Sequence, residues 1–228
     1  MKNLLISSLC LIFSMTVMAE EEFDPFEDAN RVIFEFNQSL DETLFEPVAK
    51  SYKENVPKPA QNRVSDFSSN IGDIGTLGNE IAQFELINST TTLGRVLINS
   101  TVGLFGLFDV ASNWGLEKTQ EDFGQTLAVW GTPKGAYVVL PVLGSSTLRD
   151  VTGKVADGAQ RVKRTKALKE VEKVEIIALQ AVDTRVKLLP ATDFIEHSDD
   201  SYIAVRSAYL QKRKYDIYNG NPPEDDEF

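Results

Sequence analysis

Between Leu93 and Asp150 the chain sets its glycines among its most apolar residues, and this limits the folds open to it. Val96 to Ala111 reads VLINSTVGLFGLFDVA, and Glu121 to Asp150 reads EDFGQTLAVWGTPKGAYVVLPVLGSSTLRD. A water-soluble domain ordinarily keeps glycines in polar turns and apolar residues in periodic elements. Here Gly103, Gly106, Gly131 and Gly135 stand beside Leu, Phe, Trp and Tyr. The backbone therefore bends in apolar surroundings. Either these bends lie in a core, or the apolar surface meets something other than water.

An ordinary membrane-spanning helix is excluded for this stretch. Asn99-Ser100-Thr101 interrupts it and Asp109 closes it, leaving an apolar run far short of the ~20 residues a span needs. Two readings stay open: a buried helix with glycines for close packing, or a helix-turn-helix in a membrane interface. In the second, Leu104, Phe105, Leu107 and Phe108 contact acyl chains. Further on, Tyr137 to Leu140 is β-prone and ends at Pro141, which suggests a short hairpin about Gly131 to Gly135.

The rest of the chain reads as helices. Met1 to Ala19 has a short basic start, an apolar run and a small-x-small end at Val17-Met18-Ala19, the pattern of an export signal cleaved after Ala19. Cys10, the single cysteine, lies inside the apolar run after Leu9, the wrong place for a lipid-attachment signal. Asp24, Pro25 and Glu27 predict a capped helix start, with Phe26, Ala29, Ile33, Phe36 and Leu40 on one face. Asn30 and Asn37, seven apart beside that stripe, suit a helix edge, a cap to a neighbouring element or a wet interior. Pro47 restarts a helix. Residues 60 to 92 read as two short helical pieces divided by Gly72, Gly75 and Gly78.

One long helix is expected over 160–189, with Arg161, Lys163, Arg164, Lys166 and Lys169 in its first third and Pro190 as its stop. Such a cluster can touch lipid phosphates or form a solvated face. Tyr202, Val205, Ala208, Tyr209 and Arg213 mark a last helix, and residues 219–228 a solvated acidic tail.

Composition removes several functions. A net charge of −11 disfavours nucleic acid, whose phosphates need a basic face. His197 is the only histidine, and signal cleavage removes the thiol, so His-based metal sites and Ser-His or Cys-His nucleophile pairs are unavailable. No Gly-rich phosphate loop is followed by Lys-Ser/Thr. The expectation is a protein that is not an enzyme and carries no metal or cofactor.

A set of motifs then carries a resemblance. Asp24-Pro25-Phe26-Glu27, Asn30-Arg31 with Phe34-x-Phe36-Asn37, Arg95-x-Leu97-Ile98-Asn99 and Gly103-Leu104 are similar to the VacJ (MlaA) family of outer-membrane phospholipid-trafficking proteins. So are Glu121 through Leu127 (EDFGQTL), Trp130-Gly131, Leu140-Pro141-x-x-Gly144, Leu148-Arg149-Asp150 and Tyr209-Leu210-Gln211-x-Arg213. The resemblance implies a mostly α, single ring-like helical domain over 20–218, with an amphipathic channel and one short hairpin. It implies a protein on the periplasmic side of the outer membrane that takes phospholipid from the outer leaflet. The lipid would pass to a periplasmic lipid-binding protein of an ABC transport system, and a trimeric porin would be a partner. A porin-associated scaffold and a soluble envelope enzyme are the alternatives.

Two departures stand out: Cys10 makes no lipid-attachment signal, and the family's Asp-Pro-Tyr is Asp200-Ser201-Tyr202. A lipid path must be amphipathic, which nominates Phe34, Phe36 and Asn37 for the channel wall. Trp130, Gly131, Gly135 and Tyr137 are nominated for a gating hairpin hinged on its glycines.

Overall fold

The computed structural model describes residues 24–164 and 170–223. The signal segment, Lys166, Lys169 and the end of the acidic tail lie outside these residues. The first long element is α1 (Glu27–Leu40), a π-helical turn (Asp41–Phe45) and α2 (Glu46–Asn55), continuous in αR backbone. Pro47 therefore restarts nothing. It sits in the first turn of α2, directly after the π-turn. A wide turn of this kind absorbs one extra residue and re-aims the faces on either side.

Asp24 does not cap α1. The helix starts at Glu27 with no side-chain cap, because the Asp24 carboxylate is engaged elsewhere. It accepts from the Phe26 N–H (3.1 Å), from Asn30 Nδ2 (3.1 Å) and from the Tyr202 hydroxyl. Glu27 turns to Arg31 (2.8 Å) instead of closing a capping box.

The two short pieces expected over 60–92 are one helix, α3 (Lys58–Ala82), followed by α4 (Leu86–Thr101). Gly72 and Gly78 do not break α3, and a Cβ at either would meet nothing within 4 Å. A tight chain reversal after α4 leads to α5 (Val110–Asn113), capped by Asp109, and then to α6 (Phe123–Val129), capped by Asp122. The helix-turn-helix geometry over 93–113 is thus present.

The hairpin is displaced from its expected place. Strands β1 (Tyr137–Leu140) and β2 (Gly144–Thr147) pair antiparallel, Tyr137 opposite Thr147 and Leu140 opposite Gly144. Its turn is Pro141–Leu143, not Gly131–Gly135, because Pro141 cannot continue the ladder. Gly131 and Gly135 lie in the connection from α6 to β1.

The single helix expected over 160–189 is two, α7 (Leu148–Arg164) and α8 (Glu170–Glu196). Pro190 does not stop α8 but lies inside it. The Arg185 guanidinium donates to Thr192 Oγ1 (2.9 Å) across the turn in which proline removes a backbone bond,. Last comes α9 (Ser201–Ile217), capped by Asp200, whose carboxylate accepts from the Ile203 N–H.

Asn30 and Asn37 hold the hairpin against α1. Asn30 Nδ2 donates to the Tyr137 carbonyl (3.1 Å) and its Oδ1 accepts from the Val139 N–H (2.8 Å). Asn37 repeats this at the Leu140 carbonyl (2.9 Å) and the Val142 N–H (2.7 Å). Seven helical residues advance about 10.5 Å and three strand residues about 10 Å, so the two amides meet the strand in step. Tyr137, Val139 and Tyr202 form a small apolar core there, with Ile33, Phe34, Tyr209 and Leu210 packed on it.

Candidate functional site

The α3–α4 pair is built inside out. On α3 the buried residues are Gln61, Asn70, Asp73, Thr76, Asn79 and Glu80; on α4 they are Ser89, Thr92, Arg95 and Asn99. These recur at helical spacing, so each helix turns a polar stripe inward. The apolar residues face out: Phe84 is 83 %, Ile87 84 % and Phe105 80 % exposed, with Ile81, Leu86, Leu93, Leu97 and Trp130 also exposed. Among the described residues, five apolar residues are buried against twenty-one polar or charged ones. Water would drive the opposite arrangement, since burying apolar surface is the main stabilising term. An apolar exterior around a polar interior suits a lipid surround. Among the described residues no helix is long and apolar enough to cross a membrane.

The reversal after α4 presents this exterior at one end. Leu104, Phe105 and Gly106 follow one another at φ +51°, +61° and +87°. Leu and Phe are outliers in that region, and such strain persists only where the surroundings impose it. A Cβ on Gly106 would lie 2.5 Å from the Asn70 amide. The turn is therefore held onto α3 while Leu104, Phe105, Leu107 and Phe108 stay exposed. Phe108 also lies under the Arg63 guanidinium, 4.1 Å from its ring centre.

Behind this surface lies a cavity of about 1280 Å³. One wall is α3, with Ser65, Ser68, Ser69, Gly72 and Thr76 at helical spacing. The facing wall is α8 from Ile177 to Leu188, and Lys212 and Asp216 of α9 close one side. Phe45 of the π-turn and Val142 and Leu143 of the hairpin turn add apolar surface.

Charged networks hold the surrounding helices. Arg95 pairs with Asp73 (3.2 Å) and Asp109 (3.1 Å) and donates to Ser112 Oγ and the Leu116 carbonyl. Asn99 completes this corner through Asp109 Oδ1 (3.0 Å) and the Ala111 N–H (2.9 Å). Burial pushes the Asp109 carboxyl up, but hydrogen bonds from Ser112, Asn99 and Arg95 outweigh it and hold it at about 2.

The second network gathers three separated motifs. Arg213 of α9 binds Asp122 (2.5 and 2.7 Å) and Asp150 (2.8 Å), and Tyr209 donates to Asp150 (2.7 Å). Burial would raise Asp150, yet Arg213, Tyr209 and Arg149 hold it at about 2. Glycine is required where α6 meets α7: a Cβ on Gly124 would lie 2.3 Å from Arg213 Nη2, and one on Gly153 2.4 Å from the Gly124 nitrogen.

The nominated residues are dispersed. Phe34 packs edge-on against Tyr202, ring centres 5.7 Å apart; Phe36 is exposed; Asn37 grips the hairpin. None of the three is among the residues lining the cavity. Trp130 is exposed beside the α3–α4 turn, its Nε1 donating to the Ala82 carbonyl (3.1 Å), while Tyr137 is a core residue of β1. Sequence reasoning missed the polar stripes of α3 and α4. Asn70, Asp73, Thr76 and Asn79 carried the signal, at the same spacing as the apolar stripe opposite.

The fold and site define a class: a mostly helical protein with polar groups buried between α3 and α4, an apolar outer surface and a cavity of mixed lining, of the kind that works in a membrane. The sequence matches the family described as MlaA lipoprotein over residues 22–216, and the chain belongs to that family. It is 36 % identical to the Escherichia coli protein named intermembrane phospholipid transport system lipoprotein MlaA, over 86 % of this chain and 79 % of that one. It is 30 % identical to the protein of the same name from Haemophilus influenzae, over 90 % and 83 %. A solved structure described as the structural basis for maintenance of bacterial outer membrane lipid asymmetry superposes with a TM-score of 0.74. It shares 32 % identity and covers 87 % of this chain and all of that one.

Proposed function

We propose that this protein is the outer-membrane component of a phospholipid transport system that maintains lipid asymmetry. It takes phospholipid from the outer leaflet and passes it to a periplasmic lipid carrier, with a trimeric porin as its partner in the membrane. The observation that carries this reading is the inverted burial of the α3–α4 pair beside a cavity of about 1280 Å³. A scaffold that only organised porins needs the apolar exterior but not the lumen.

The protein acts from the periplasmic side after cleavage at Ala19. With Cys10 inside the apolar run, its hold on the bilayer comes from Leu104, Phe105, Leu107 and Phe108 and their exposed neighbours, not from an acyl chain. The intact mass of the purified protein checks this, and a diacylglyceryl adduct on Cys10 overturns it.

The path is controlled at the hairpin, whose turn residues Val142 and Leu143 reach the cavity. Asn37 acts on the path through its grip on that turn. Gly131 and Gly135, at φ +86° and +68°, set the connection from Trp130 into β1. Replacing both with Val strains this connection and slows removal of surface phospholipid, measured in cells at matched protein level. Normal lipid asymmetry in that strain removes the gate.

The function as a whole is tested by gentle purification and lipid extraction. Bound phospholipid is expected, together with accumulation of surface phospholipid in cells lacking the protein. An empty protein and an unchanged cell surface would sink the reading.

A further inference from the structure

The wall of the cavity carries more negative charge than positive. Its carboxylates are Asp41, Asp66, Asp109, Glu121, Asp122, Asp183 and Asp216, against the cations Lys118, Arg161, Arg185, Lys187 and Lys212. Most of these cations are already engaged. Asp41 binds Arg185 at two oxygens (2.7 and 2.6 Å), Asp183 binds Lys187 (2.7 Å), Asp216 binds Lys212 (2.6 Å) and Asp73 binds Lys118 (3.0 Å). Arg161 donates to Gln180. An anion approaching Lys118, Arg185, Lys187 or Lys212 must displace a carboxylate, and like charge at close quarters repels it,.

Glu121 is the opposite case. It lines the cavity, yet its carboxylate is met by one neutral donor, Gln83 Nε2 (2.7 Å). The carboxylates acting on it are Glu85, Asp122 and Glu80. Glu80 is fully buried, and its Oε2 has no hydrogen-bond partner among the described residues. Its other oxygen accepts from the Thr92 and Thr119 hydroxyls. Buried carboxylates ordinarily have a cation or a set of donors. Behind this part of the wall, among the described residues, the donors to the two carboxylates are one amide and two hydroxyls.

We propose that the cavity selects phospholipids with a zwitterionic, amine-bearing head group over anionic ones, with the Glu121 carboxylate receiving the ammonium. The proposal rests on the lipid-transport reading and names its substrate class. An ammonium at Glu121 supplies the missing cation through a charge-assisted hydrogen bond, the stronger kind. The phosphate of the same head group is left to neutral donors close to Glu121, such as Thr76 and Gln120, which also line the cavity. A head group whose only charge is the phosphate gains nothing at Glu121 and meets the excess of carboxylates.

The test uses the full protein in detergent, equilibrated with vesicles of equal phosphatidylethanolamine and phosphatidylglycerol carrying the same acyl chains. Bound lipid is extracted and quantified by mass spectrometry. The wild type is expected to enrich the ethanolamine lipid about fivefold, which corresponds to about 1 kcal/mol. Glu121→Gln, which keeps shape and removes charge, should bring the ratio close to one. Asp183→Asn, which releases Lys187 from its partner, should move the ratio toward the glycerol lipid and keeps the proposal testable if Glu121→Gln misfolds. Equal or preferential binding of the glycerol lipid by wild type overturns the selectivity, as does a ratio that neither variant changes. Recovery of neither lipid overturns the transport reading itself and is distinct from a lost preference.

Discussion

The α3–α4 pair and the hairpin region with α1 and α9 fill their interiors differently. Around the hairpin, Tyr137, Val139 and Tyr202 form an apolar cluster under Phe34 and Tyr209, with Asn30, Ser146, Thr147 and Arg206 buried beside it. Between α3 and α4 the buried positions hold Arg95, Asp73, Asn79 and Glu80, while Phe84, Ile87, Leu97 and Phe105 face outward. One region keeps its apolar surface from water within the protein. The other leaves that surface for a bilayer to cover and folds around its polar groups. A buried polar network contributes well only when its members are paired, so the second region depends on partners more than on packing.

The contrast breaks most sharply at Arg95. Arg95→Met removes the guanidinium shared by Asp73 and Asp109, and breaking a buried pair from one side costs about 3–5 kcal/mol. Chemical denaturation in detergent measures this, and a loss under 1 kcal/mol would show that these charges are solvated.

Next comes the apolar exterior. Leu104→Asn with Phe105→Asn removes two large exposed side chains that the proposed function sets against acyl chains, where each would contribute roughly 1.5–3 kcal/mol by area,. Asn also tolerates the left-handed backbone far better than Leu or Phe. Vesicle co-sedimentation should therefore fall while stability in detergent holds or rises. Lost stability with unchanged membrane binding would place both residues in a core.

A pH series gives the third test. Burial, little offset by the Gln83 bond and reinforced by Glu85, Asp122 and Glu80, pushes Glu121 up to about 7 from its ordinary 4.5. Its neutral form favours the folded state, so its contribution is full below pH 4.5 and is lost as pH rises through about 7. The expected loss is on the order of 1–2 kcal/mol, allowing for solvent screening. Glu121→Gln should flatten the stability profile over that window. Asp109 and Asp150, held near 2, act the other way: their contribution is present above pH 3.8 and lost as pH falls through about 2.

Tyr202→Phe is the smallest change. It removes the hydroxyl bond to Asp24 but keeps the ring against Phe34 and under Arg31. The expected cost is about 1 kcal/mol by thermal unfolding, because Asn30 and the Phe26 N–H remain on Asp24.

The sequence carried the periodicities well and their direction poorly. The helices α1 and α9 are legible because hydrophobic spacing reports helices whatever surrounds them, although on α1 Phe26, Ala29 and Phe36 of the expected face are exposed and Asn30 and Phe34 beside it pack inward. Which stripe of α3 and α4 points inward is not legible, since helical spacing is the same in water and in lipid. Gly72 and Gly78 look like breaks, yet Gly72 simply leaves room at the cavity wall. Pro190 looks like a stop, yet α8 runs past it with a side-chain bond from Arg185 to Thr192 bridging the interrupted turn. The meeting of Asp122, Asp150 and Arg213 joins positions 91 and 63 residues from Arg213, a distance that no local pattern spans.

A two-stranded ribbon has unpaired flanks that invite a strand from another chain. Here Asn30 and Asn37 occupy the outer flank of β1 with side-chain amides that donate and accept as a third strand's peptides would. Their service extends beyond positioning: they deny a template to a second copy. Replacing Asn30 with Leu fills similar space but leaves the Tyr137 carbonyl and the Val139 N–H unanswered, opening that flank to intermolecular pairing. The damage from such a change falls on colloidal fate: recovered yield drops and insoluble material accumulates, while the molecules that stay in solution keep the architecture of the parent.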